Sequence, residues 1–199
     1  MEASIEAKRE VFAVIATQMV NRPKVARLAD SLAKNFKSTA SDPLERAKNL
    51  AYLLYVQEQP ALCLQVCQLL SDITFKGNYN LWTWIELTLA LEWKLRADAG
   101  QQELAQACAN TIRDTYQTGS ETEQVQKIAT LERRLMGSLL YDTEIANAQQ
   151  SGDKIGERNW LMLQLGALLF IEALGGSNAL PASALEQQFA LNLAKLRGA

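Results

Sequence analysis

The sequence predicts an all-α protein: antiparallel helical hairpins, about nine helices, arranged as a solenoid-like stack or an irregular bundle. Three features require this. Every long segment carries an apolar period of 3.6 residues, and none alternates over the length of a strand. Pro23, Pro43, Pro60 and Pro181 each stand before an amphipathic run, where a missing N–H costs nothing. The runs are separated by short connections, which favours antiparallel neighbours.

Taken in order, the pattern predicts helices near 3–20, 23–36, 43–57, 60–74, 80–98, 101–116, 121–149, 153–174 and 182–197. Asp42 is placed to cap the third helix. Gly119 reads as a helix stop, and Ser120 with Glu123 has the spacing of a capping box at the start of the seventh. Gly137 is a candidate break within that long seventh helix. The segment Gly77-Asn78-Tyr79-Asn80 reads as a turn and N-cap before the fifth. The whole chain, 1–199, is expected to form one domain, with a hairpin core at about 43–174 and a capping helix at about 182–197.

The composition narrows function chiefly by exclusion. Hydrophobic residues make up 48% and charged residues 21%, which suits a packed globule and not a disordered chain. A formal net charge of -2 offers no broad positive field for a phosphate backbone, so nucleic acid is not an expected partner. The acidic start, Met1 to Glu6, lacks the basic region of a signal peptide. The apolar stretch Trp160–Leu174 is interrupted by Gln164 and Glu172 and is too short to span a bilayer, so no membrane partner is expected. Cys63, Cys67 and Cys108 fall inside helical patterns and read as reduced core residues, which points to the cytoplasm.

An internal echo runs through the middle of the chain. Leu62, Val66 and Leu70 reappear 42 residues later as Leu104, Cys108 and Ile112, and Trp82, Ile85 and Leu87 pair with Trp160, Leu163 and Leu165. The stretch from Leu44 to Tyr116 resembles two helix–turn–helix units of the tetratricopeptide kind, though at a period other than that family's 34 residues. The resemblance implies a pile of hairpins presenting a concave binding surface.

Catalytic chemistry has few residues to work with. The chain holds no histidine, which removes the commonest general base and metal ligand and every Ser-His or Cys-His nucleophile. No glycine-rich phosphate loop is present, and neither a cofactor nor a metal is expected. The unusual segment is Phe75–Glu86, followed by Trp93: three of the four tryptophans lie between 82 and 93. Trp82, Glu86, Leu89 and Trp93 share one helical face, and Trp84, Leu87, Leu91 and Leu95 another. A helix apolar on two faces is wedged between neighbours.

Trp82, Glu86, Trp93 and Tyr79 are therefore the candidate partner-binding residues, with Glu86 either a structural carboxylate or a charge flanked by aromatic anchors. Glu172, on the face of Leu161, Leu165 and Leu168, raises the same choice, and Glu132, Arg133 and Arg134 read as a solvated cluster. The expected function is a non-catalytic module that binds another protein. Its small size, helical class and lack of catalytic groups are similar to those of bacterial immunity proteins, which neutralise toxins by binding them. The alternative is a small-molecule binder or carboxylate enzyme with its pocket at the tryptophan helix.

Overall fold

A computed structural model describes residues 3–117, 141–176 and 181–198. These residues form nine α-helices and no strand. They are α1 (Ile5–Gln18), α2 (Pro23–Asn35), α3 (Ser41–Val56), α4 (Pro60–Ser71), α5 (Tyr79–Asp98), α6 (Gln102–Gln117), α7 (Asp142–Ser151), α8 (Lys154–Ala173) and α9 (Ala182–Gly198). By their contacts the residues group into two compact units, Met1–Gly100 and Gln101–Ala199. Gly119, Ser120, Glu123, the 132–134 cluster and Gly137 lie outside the described residues.

The helix ends follow local chemistry. Pro23 and Pro60 each occupy the first turn of their helix, where φ is already set and no N–H is wanted. Ser4 Oγ accepts from the Ala7 N–H at 3.1 Å, and Asp153 Oδ1 from the Gly156 N–H at 2.9 Å. Asp42 does not cap α3. The helix begins at Ser41, two residues before the expected 43, with Ala40 at the cap position, and Asp42 lies in the first turn, where a negative charge suits the helix dipole. Helix α4 ends at Ser71, short of the expected 74, with Asp72 at the C-cap position donating its N–H to the Gln68 carbonyl.

In the first unit each helix packs on the next, and α3 meets α2, α4 and α5. Leu44, Ala47, Leu50, Ala51, Tyr52 and Leu54 of α3 are fully buried. Cys63 and Cys67 on α4 are fully buried as well, and the Cys63 thiol donates to the Ala51 carbonyl of α3 at 3.2 Å. They act as small apolar residues where two helices approach closely.

Two cations on α1 close the ends of neighbouring helices. Lys8 is fully buried, on the same face as Phe12 and Ile15. Its ammonium donates to the Leu69 carbonyl in the last turn of α4 at 2.6 Å and meets Asp72 at 3.3 Å. Arg9 donates from Nε and Nη2 to the carbonyl of Phe36, the C-cap of α2, at 3.2 and 3.0 Å. Carbonyls at a helix C-terminus have no partner of their own, and the dipole there favours positive charge. The first-turn and last-turn residues of α4 include no such cation, so α1 supplies it.

In the second unit α8 packs on α7 and α9. Ala167, Leu168, Ile171 and Leu185 form its buried apolar cluster, with Tyr141 and Phe189 against it. Across the same helices runs a polar chain: Gln164 donates to Asp142 Oδ1 at 3.0 Å and accepts from buried Asn192 at 2.7 Å. Arg113 of α6 reaches the carbonyl of Ala173, the last residue of α8, at 3.5 Å.

Replacing Lys8 tests how much the first unit depends on this closure. We expect Lys8→Ala to lower stability by about 2–4 kcal/mol in urea denaturation, because a buried charge-assisted pair is broken and Asp72 and Leu69 lose their donor. Asp72→Asn, which leaves the Leu69 bond in place, should cost about 1 kcal/mol. Equal effects from the two would show that Leu69 contributes nothing.

Candidate functional site

The site is built where α5 begins. Gly77, at φ +80°, takes a conformation that a side chain would strain, and it turns the chain into the helix. Asn78 then caps α5: its Oδ1 accepts from the Asn80 and Leu81 N–H groups at 3.1 and 3.4 Å. This cap sets the phase of α5, which packs on both α3 and α4 as a doubly apolar helix must.

The phase turns Trp82 inward, 3% exposed. The half-buried ring of Phe75 packs on it at 5.3 Å between centroids and on Tyr79 at 4.9 Å, with tilted planes. Beside this aromatic cluster opens a pocket of about 100 Å³. Ile73, Phe75, Leu81, Trp82 and Ile85 give it an apolar lining. Polar atoms come from Ser38 and Thr39 of the α2–α3 turn, and from Thr74, Lys76 and Asn78.

The four sequence-predicted residues are not gathered into one groove. Trp82 lines the pocket, and Tyr79 is exposed beside it against Phe75. Glu86 is 1% exposed and Trp93 half-buried, and neither lines the pocket. Glu86 does not satisfy Trp82, whose indole N–H is buried with no acceptor among the described residues. An orphaned buried donor of this kind costs about 1–3 kcal/mol. Glu172 is half-buried on α8.

Sequence reasoning missed two sets of residues. The first is the wall formed by Phe75, Lys76, Ser38 and Thr39. The second lies behind α5, where the Trp84 indole N–H donates to Ser41 Oγ at 2.8 Å and the Lys48 ammonium sits 5.2 Å from the Trp84 ring centroid. Lys48 is 1% exposed and donates to Asn49 Oδ1 at 2.6 Å. Burial pushes its amine down to about 8, against a smaller upward pull from Glu45. Tyr52, one turn further along α3, donates to the Leu87 carbonyl of α5 at 2.8 Å, and burial raises its hydroxyl well above the usual tyrosine range. The signal for Lys48 was its position, four residues from both Leu44 and Tyr52 on the buried face.

Next to the pocket, Asp72 immediately precedes Ile73. Burial raises its carboxyl, but hydrogen bonds from the Ala3 N–H and Lys8, with the Lys8 charge, outweigh this and hold it below the ordinary carboxylate range. That acid is therefore engaged away from the pocket.

Fold and site together define an all-helical protein with a small, mostly apolar pocket at a helix start. Among the described residues no group of three His, Cys, Asp or Glu side chains stands where it could hold a metal ion, and no helix is long and apolar enough to cross a membrane. The chain belongs to the family of unknown function DUF6707, whose model matches residues 2–198. No curated protein and no solved structure matches it.

The buried amine gives a pH test of the α3–α5 contact. Lys48 titrates at about 8 when folded and at 10.5 when free, so between those values the unfolded chain binds more protons. Stability must then rise with pH from about 8 upward, while below about 8 both states are charged and the difference is constant. Above about 10 the trend reverses, because Tyr52 ionises in the unfolded chain and resists ionisation when folded. Between about pH 7 and about pH 9.5 we expect the wild type to gain about 2 kcal/mol relative to Lys48→Met in urea denaturation. Parallel pH profiles would mean that the amine stays hydrated.

Proposed function

We propose that this chain is a non-catalytic protein-binding module that holds one apolar side chain of a partner in the pocket at the start of α5. The observation that supports this reading is size. The pocket measures about 100 Å³, whereas sites for small molecules and cofactors run to roughly 300–1,000 Å³. A space of this volume takes a single side chain. The alternative of a small-molecule site is favoured by the apolar lining but opposed by the volume.

The aromatic pair Phe75 and Tyr79 at the mouth suits this role, since half-exposed rings anchor interfaces at little entropic cost. Consecutive helices packed in pairs also support the tetratricopeptide-like arrangement, in which hairpins present surfaces to other proteins. Small size and helical class extend the reading to toxin-neutralising partners of the kind bound by immunity proteins. The buried cysteines support a reducing, cytoplasmic setting.

The test is a plug at the mouth. Thr39 is exposed, lies in a turn and lines the pocket, so Thr39→Trp lays a ring across the opening without entering the core. Partners retained by immobilised wild-type protein should bind this variant at least about tenfold more weakly, with melting shifted by no more than about 2 °C. Partners that bind both proteins equally would place recognition elsewhere on the chain.

A further inference from the structure

Resting on that reading, the chemistry of the lining identifies the partner group more closely. Lys76 lines the pocket, is exposed, and makes no ion pair or hydrogen bond among the described residues. No carboxylate belongs to the lining. The acids nearest in sequence are already engaged: Asp72 by Lys8 and Ala3, and Asp42 by Arg46 at 3.9 Å. The pocket thus joins an apolar chamber to an unneutralised cation.

Two magnitudes restrict what fits. An engineered apolar cavity of about 150 Å³ accommodates benzene, so about 100 Å³ suits a branched aliphatic side chain better than an aromatic ring. A volume of about 100 Å³ is also only roughly 6 Å across, so the aliphatic group and the anion that meets Lys76 must be close together. In a C-terminal leucine, isoleucine or valine both belong to one residue. An aspartate or glutamate on a neighbouring residue would carry its carboxylate away along the chain, since successive Cα atoms stand about 3.8 Å apart and their side chains diverge.

We infer that the pocket captures the C-terminal aliphatic residue of a partner polypeptide, with the side chain against Phe75, Leu81 and Trp82 and the terminal carboxylate at Lys76. Terminal carboxylates are a recurrent recognition element because they combine a full charge with the chain end, which no internal segment can imitate.

The test uses N-acetyl-L-leucine as a minimal chain end and N-acetyl-L-leucinamide as its uncharged twin, each titrated into the full-length ¹⁵N-labelled protein. The Trp82 indole and Thr39 amide signals report occupancy. The acid should shift both saturably in the millimolar range expected of so small a ligand, and the amide should bind at least about fivefold more weakly. N-acetyl-L-phenylalanine should bind more weakly than the leucine acid, and Lys76→Gln should abolish the preference for acid over amide. Equal binding of acid and amide would overturn the carboxylate inference while leaving a side-chain pocket in place. No shift from either up to about 50 mM would overturn the inference outright. In that case, loss of partners in Thr39→Trp would still uphold the broader reading, and retention of partners would remove both.

Discussion

The first unit depends on the near-complete burial of α3, which meets α2, α4 and α5 at once. Beyond its exposed first turns, from Ala47 onward, that helix has almost no solvent face on which to place polar groups. Its Lys48, Asn49 and Tyr52 must therefore find partners inside, and they do so with one another, with the Trp84 ring and with the Leu87 carbonyl. Those contacts hold α5 along α3. Together with the Asn78 cap, they fix the direction of Trp82 and so the pocket wall.

The helix ends are governed by a second constraint. Helices packed in short hairpins bring C-terminal carbonyls up against the sides of their neighbours, where water is scarce. In both units the donor comes from another helix: Lys8 for α4, Arg9 for α2, and Arg113 for α8. Each is a long basic side chain whose apolar stem can lie along the core while its head reaches a carbonyl. The charged residues of this chain thus do structural work that a count of surface ion pairs would overlook. The exposed pair Lys34 and Asp30, four residues apart on α2, contributes far less by comparison.

The fold was legible wherever a local signal has one meaning. Pro23 and Pro60 each follow a connection that breaks the apolar period, and α2 and α4 begin where they place them. Asp42 misled because an acid in the first turn and an acid at the cap satisfy similar electrostatics, and Pro43 is compatible with both positions. Asn78 was readable because a glycine before it and an apolar period after it leave one role. The site was legible only in its helical part. Trp82 follows from periodicity, but Ser38 and Thr39 meet Phe75 and Lys76 through two turns 35 or more residues apart, and turns carry no period to align. Glu86 also showed the limit of face counting: sharing a face with Trp82 places it in the same interior, not in the same pocket.

The contact of Lys8 with Leu69 spans 61 residues, so it ties the start of the chain to the end of α4 only after everything between them has emerged. Closing a loop of that length costs roughly 3–4 kcal/mol of chain entropy. Until closure, a lysine destined for the core has no partner, and the carbonyls at the end of α4 have no cation. The growing chain can therefore dock α1 on α2, through Arg9 and the Phe36 carbonyl, before α4 exists, but the Lys8 side of α1 is completed only once α4 is in place. The loop that begins at Asp72 would acquire its shape in that same step, as a late product of folding.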